Sequence, residues 1–375
     1  MKNTKVIIVG GGLIGLAVAE QLLRRGIKPV VLERGSFAKE ASWAGAGYLD
    51  LRDASLAGGP FLDLCRFSYN LFPEWTERIK KESAVDPEFL LCGSLGLVFN
   101  GEEENIIKGI ESVTSFNGLK SEWLAPQAAL LKESHLSEKL KAAWYLPQTC
   151  QVRPPRLAQG LLKVLERGKA VLREGEEVRG FMKQGSRILG VETNAGKYEA
   201  DQVLLAGGAW TGGLLDILGI SLAVKPIRGQ VVLFKSEPGL LRHVLFTSTA
   251  YLVPRLDGHI YVGSTLEEAG FDKSVTKEAV AALTRGAYRA LPLLERAKVE
   301  MTWSGLRPKA ADDKPYLGIV PATENLWVAA GHYTHGILLS AATGRLMAQA
   351  ILGEKPERDL GPYALDRKPV SPALN

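Results

Sequence analysis

Gly10, Gly12 and Gly15 form a GxGxxG set that follows the run Val6 to Val9 and opens the helical pattern Leu13 to Arg24. The chemistry of that spacing is phosphate binding. The first glycine permits a tight turn, the second lets a pyrophosphate approach the backbone, and the third lets helix and strand pack closely. A phosphate there would meet the free N–H groups and positive dipole end of the helix. Glu33, at the close of the next apolar run, places a carboxylate where it can accept both hydroxyls of an adenosine ribose and disfavour a 2'-phosphate. These residues together predict a dinucleotide site, and the glycines alone do not separate FAD from NAD.

Three later stretches favour a flavin. "EASWAGAGYL" (Glu40 to Leu49) offers small residues that can lie flat against a cofactor, with Ser42 as a phosphate or ribose ligand. "DQVLLAGGAWTGGLL" is an apolar strand ending in Gly207 and Gly208, where bulk would block a ligand or a crossing chain. "AAGHYTHGILLSAATG" holds His332 and His335, whose spacing could serve a metal. Metal ligation needs further ligands on the same face, and the apolar residues that follow supply none. The stretch is therefore read as a loop into a helix, with Gly331 and Gly336 permitting close approach, and no metal is expected.

The elements that must position these residues begin with a strand, helix and second strand within Lys5 to Arg34, a right-handed βαβ unit. Helical and mixed segments follow from about Phe61 to Leu146. Prolines and a helical pattern open at Val152, short strands with glycine turns run to Gly208, and Lys225 to Met301 is strand-rich with one helix over Lys277 to Ala290. The fold class expected is α/β plus α+β: a Rossmann-type FAD-binding domain interleaved with an antiparallel-sheet substrate domain. The boundaries read 1–60, 148–222 and 302–365 for the first, 61–147 and 223–301 for the second, and 366–375 as a tail, loosely tethered from about Pro362. Asp312 and Asp313 beside Lys314 read as a solvated turn, and Trp210 and Trp303 as packing residues.

The 375 residues suffice for two or three domains. A net charge of +5, from 46 basic and 41 acidic residues, is mild and interspersed, which argues against a nucleic-acid partner. Three widely spaced cysteines suit a reduced compartment, and neither a leader-like apolar core nor a run of about 18 apolar residues occurs, so a cytoplasmic protein without a stable membrane anchor is expected.

The motifs "VIIVGGGLIGLAVA", "VLERG", "GAGYL", "VLLAGGAWTGGLL", "GQVVLF", "YLVPR", "YVGSTLEEAGFD", "WSGLRPKAADDKPYLG" and "AAGHYTHGILLSAATG", in this order, resemble the flavin-dependent D-amino-acid oxidase superfamily, and most of all its glycine oxidase branch of thiamine biosynthesis. The resemblance implies noncovalent FAD, with no cysteine near Arg307 to attach it. It implies adenine near Glu33 and Arg34, with Val178 on the same side, and phosphates over Leu13 and Ile14. Ser42, Ala46, Gly47 and Tyr48 would lie beside the flavin, with Gly207 close by, and His332, Tyr333, Thr334, His335, Gly336, Ile337 and Leu338 would wrap the pyrimidine end of its ring. Arg307 matches the arginine that holds the substrate carboxylate, and Tyr251 the tyrosine that assists it. The activity implied is oxidative deamination of glycine, sarcosine or a small D-amino acid to the 2-oxo acid, by hydride transfer to flavin N5, with oxygen as partner and hydrogen peroxide as product. Homotetramers occur among such relatives.

Two positions depart from the branch. Thr334 and His335 stand where an arginine and an asparagine are expected, removing one cationic partner for the carboxylate. Tyr48 stands in place of a methionine, a change expected either to shrink the pocket or to add a hydroxyl to it. These leave two alternatives within the fold: a D-amino-acid dehydrogenase passing electrons to a quinone, or a sarcosine-oxidase-like demethylase. From other classes come an RNA-modifying flavin module, which the interspersed charges do not support, and an NAD-linked dehydrogenase.

Overall fold

Val6–Val9 is buried at every position, as a strand covered on both faces requires. In the computed structural model, which describes residues 4–367, it lies inside a six-stranded sheet ordered Tyr316–Ile319, Leu326–Ala330, Gln202–Leu205, Val6–Val9, Val30–Glu33 and Val171–Glu174. All neighbours are parallel except the hairpin of the first two. The chain leaves Val6–Val9 toward Val30–Glu33 on one side, while Gln202–Leu205 pairs on the other, so a crevice opens at the carboxyl ends of these strands. That reversal of strand order is where open α/β sheets bind ligands.

Gly10 makes the turn out of the first strand at φ 111°, and a β-carbon there would fall 2.4 Å from the Ala206 carbonyl oxygen. Only glycine combines that dihedral with that approach. The helix Leu13–Arg24 then crosses the C-terminal helix Gly336–Ile351, both buried along most of their length. At the crossing a β-carbon on Gly344 would lie 2.8 Å from the Ala17 carbonyl oxygen, so the two backbones are in direct contact.

The second large sheet has eight strands and is antiparallel apart from the parallel neighbours Val244–Phe246 and Ser94–Val98. Its edge is a long pair, Val224–Lys235 with Lys298–Ala310, in contact from Val224↔Ala310 to Lys235↔Lys298. The helix Lys277–Ala290, capped by the Thr276 hydroxyl accepting from the Ala279 N–H, packs Leu283 and Ala287 against Val232, Phe234 and Val262. The chain break expected at 301/302 falls inside this edge strand. Ladder pairing continues past Gly305 and Pro308, with Pro226 opposite Pro308. Two three-stranded sheets complete the structure, Val178–Gln184 with Arg187–Thr193 and Lys197–Glu199, and Tyr48–Leu49 with Cys150–Gln151 and Leu90–Leu91.

The expected solvated turn at Asp312 is instead a buried ion pair. Arg367 Nη2 lies 2.7 Å from Asp312 Oδ1, with side chains 9% and 3% exposed. Tyr363 is buried and donates its hydroxyl to the Pro60 carbonyl. The segment expected to be loose from Pro362 is thus anchored through Arg367, and the remainder of the expected tail, 368–375, lies outside the described residues. Among the described residues no helix is long and apolar enough to cross a membrane.

Between Leu326–Ala330 and the C-terminal helix the chain makes one 3-10 turn, Tyr333–His335. His332 is buried with Nε2 3.1 Å from Thr343 Oγ1, tying the loop to the helix it feeds. Burial, and then the neighbouring His335, lower the His332 pKa from 6.5 to about 3, so the ring is neutral near pH 7.

Two outcomes follow for stability. Gly344→Val should lose about 1–3 kcal/mol in urea unfolding, because the added carbons meet backbone that cannot yield; an unchanged midpoint would contradict the crossing. Below the unfolded pKa the unfolded chain binds a proton at His332 that the folded chain does not. Stability should therefore fall as pH drops from 6.5 toward 3, by about 1 kcal/mol per unit. His332→Gln should flatten that slope in unfolding curves taken between the two limits.

Candidate active site

A cavity of about 630 Å³ opens where the carboxyl ends of the six-stranded sheet face the edge pair of the eight-stranded sheet. That volume is within the usual range for ligand sites. At one end lies the glycine turn. Ser42 Oγ accepts from Leu13 N–H at 2.8 Å, occupying the first turn of the helix with a neutral acceptor. Glu33 Oε2 accepts from Gly11 N–H and Oε1 from Gly35 N–H, each at 2.9 Å, which fixes the carboxylate beside the turn with lone pairs to spare. The Arg34 guanidinium lies 3.8 Å over the Trp210 ring, and Trp210 in turn packs on Phe271. Val178, at the start of its strand, lines the same end.

The other end is aromatic and carries the Arg307 guanidinium. Arg307 projects from the edge strand, donating Nη2–H to Ser264 Oγ at 2.5 Å and Nη1–H to the Thr265 carbonyl at 3.3 Å. Among the described residues no carboxylate pairs with it. Gly229, on the partner strand, makes the space: a β-carbon there would fall 2.0 Å from Arg307 Nη1. Tyr251 donates its hydroxyl to the same Ser264 Oγ at 3.1 Å.

Tyr48 meets Tyr251 and Phe246 edge to face, at 5.1 and 5.3 Å between centroids, while Tyr261 stacks on Tyr251. Arg52, paired with Asp50, lies 3.6 Å over Phe246 and backs this wall. Burial, then the adjacent Tyr251, push the phenols of Tyr48 and Tyr261 well above their usual value, so both are neutral hydroxyls at ordinary pH.

The site residues singled out from the sequence converge here with three exceptions, of which Gly331 faces Ala310 and Tyr316. Gly10, Gly12, Leu13, Ile14, Glu33, Arg34, Ser42, Ala46, Gly47, Tyr48, Val178, Gly207, Tyr251, Arg307, His332, Tyr333, Thr334, Gly336, Ile337 and Leu338 all line the cavity. Gly15 does not: it faces the Gly10 carbonyl, 2.1 Å from where its β-carbon would be, and serves helix–strand contact. His335 is also off the lining, its ring packed edge to face on Phe61 with Nδ1 3.1 Å from Thr334 Oγ1. The two loop imidazoles thus have separate partners, Thr343 and Thr334. Sequence reasoning missed Trp210, Gly229, Tyr261, Ser264 and Asp53, which line the cavity too. Trp210 had been read as packing; its following a glycine pair was the only local hint. Trp303 does pack, against Trp43 and Tyr261.

The chemistry of the donor set fits a dinucleotide. Helix N–H groups and a serine hydroxyl stand at the glycine turn, a carboxylate at the next strand end, and a long cavity leads from them to a cationic, aromatic pocket. None of Cys65, Cys92 and Cys150 lines it, which agrees with a noncovalently held group.

Residues 5–350 match the family model DAO, described as FAD dependent oxidoreductase. The chain is 35% identical to a glycine oxidase of Pseudomonas aeruginosa, across 96% of this chain and 98% of that one, and 36% identical to a glycine oxidase of Pseudomonas putida over the same shares. The crystal structure of glycine oxidase from Geobacillus kaustophilus superposes with a TM-score of 0.92 at 32% identity, covering 97% of this chain and 99% of that chain. Fold, donor set and similarity agree: the chain belongs to the DAO family of FAD-dependent oxidoreductases.

Proposed function

We propose that this chain oxidises glycine, or a similarly small amine-bearing acid such as sarcosine or a small D-amino acid, to the 2-oxo acid, with oxygen as electron acceptor. The observation that carries the reading is the half-buried Arg307 guanidinium, turned into the cavity beside Tyr251 with no carboxylate partner among the described residues. A partly desolvated cation is stabilised by an anion, and a planar guanidinium suits a carboxylate. The glycine oxidases to which the chain is similar support the substrate class.

The chain's residues would bind and orient. Arg307 would hold the carboxylate, with Tyr251 assisting, and the Tyr48, Tyr251 and Tyr261 rings would exclude water and leave little room for a side chain. FAD, when bound, would supply the acceptor for the hydride, two electrons with one proton, that leaves the Cα–H bond. Leu13, Ile14 and Ser42 would hold its phosphates, Glu33 and Arg34 its adenosine end, and the loop His332 to Leu338 its ring. For glycine the balance is glycine, oxygen and water giving glyoxylate, ammonia and hydrogen peroxide. Thr334, where a second cation is expected, leaves the carboxylate to one guanidinium, so a weaker affinity than in the glycine oxidase branch is expected. The three free thiols suit a reducing compartment, and we place the enzyme in the cytoplasm.

A peroxide-coupled assay across glycine, sarcosine and D-alanine tests this reading; a yellow holoprotein that turns over none of the three would end it. Reduction by glycine without air, followed by very slow reoxidation in air, would instead favour a quinone-linked dehydrogenase. Arg307→Ala should retain FAD and lose about 2–4 kcal/mol of transition-state binding, read from kcat/KM. Unchanged kinetics would move the carboxylate anchor elsewhere.

A further inference from the structure

Ser264 joins the two groups assigned to the carboxylate. A serine hydroxyl has one proton to donate and two lone pairs to accept with. In Ser264 both lone pairs are engaged, one by Arg307 Nη2–H at 2.5 Å and one by the Tyr251 hydroxyl at 3.1 Å. The oxygen therefore has no acceptor capacity left, and among the described residues its own O–H has no acceptor, in a side chain that lines the cavity.

Its backbone is fixed from the neighbouring strand. The Thr265 carbonyl accepts from Arg307 Nη1, and the Thr265 hydroxyl accepts from Gln230 N–H at 2.9 Å. A β-carbon on Gly263 would meet the Tyr251 hydroxyl at 2.8 Å, so the phenol is pressed against the residue that precedes Ser264. Two of the five guanidinium N–H groups are spent on holding Arg307 against this segment, which leaves three for an incoming anion.

We propose that Ser264 is a further carboxylate ligand of this site: its hydroxyl proton is donated to the substrate carboxylate, while its lone pairs accept from Arg307, which binds the same group, and from Tyr251, which orients the serine. The inference rests on the reading of Arg307 as carboxylate anchor. It assigns to a neutral hydroxyl part of the work that a second cation would do at Thr334. Two donors then converge on one anion, the charged Arg307 guanidinium and the neutral Ser264 hydroxyl, while the Tyr251 proton stays on Ser264.

The test uses holoenzyme and acetate, a carboxylate without an amine, titrated by its perturbation of the visible flavin spectrum. Ser264→Ala should weaken acetate about tenfold or more, the usual effect of losing a hydrogen bond to a charged group. It should raise KM for glycine by a similar factor with kcat changed less than about threefold, and Ser264→Thr, which keeps the hydroxyl, should restore most of the loss. Acetate binding by Ser264→Ala within about twofold of the parent, with binding lost in Arg307→Ala, would overturn the role of Ser264 and leave Arg307 standing. Unchanged binding in both variants would place the carboxylate elsewhere and end both readings. Loss of bound FAD along with acetate binding in Ser264→Ala would overturn the proposal in favour of a structural role.

Discussion

A guanidinium turned into a cavity without a carboxylate to neutralise it is costly to hold, and the neighbourhood of Arg307 is arranged around that cost. The cation is seated on an edge strand paired along its whole length with a second strand, so the backbone beneath it is rigid. Gly229 leaves room for it, Ser264 and the Thr265 carbonyl each take one of its protons, and the aromatic wall keeps bulk away from the rest. None of these partners is an anion. The charge stays available, and its direction into the cavity is set by neutral acceptors rather than by a salt bridge.

The opposite end obeys a different constraint. There the carboxyl ends of three parallel strands bring Gly10, Ala206 and Glu33 together, and the Gly10 turn tolerates no side chain. Donors of the helix Leu13–Arg24 and the fixed carboxylate of Glu33 face the same crevice. The cavity thus joins an end with helix N–H donors and a fixed carboxylate to an end with the Arg307 guanidinium and a tyrosine wall. The helix Gly336–Ile351 connects the two, since it crosses the first helix at Gly344 and starts from the loop whose His332 is fastened to Thr343.

Much of this was legible in the sequence where the signal is local. The glycine turn, the strand–helix–strand unit, the helix Lys277–Ala290 and the loop before the last helix all announce themselves by spacing within about a dozen residues, the range over which periodicity and turn chemistry act. Residues defined by contacts across the chain gave no such signal. Ser264 matters because Arg307 and Tyr251 fold onto it, and Gly229 because a side chain from the partner strand lies over it. Asp312 looked solvated because its partner, Arg367, stands 55 residues on. The boundary expected at 301/302 falls inside an edge strand because ladder pairing with a distant segment, and not composition, carries it through. His335 was grouped with the cofactor loop, yet the turn that exposes Thr334 sends its ring to Phe61.

One cavity is proposed to place a flavin's reactive end against the Arg307, Ser264 and Tyr251 cluster. A crystal structure of the holoprotein with bound acetate tests it most directly. The account predicts FAD with its adenosine beside Glu33 and Trp210, and acetate in the pocket with its oxygens on Arg307. Acetate bound away from Arg307, or a flavin ring lying outside the tyrosine-walled end, would contradict it.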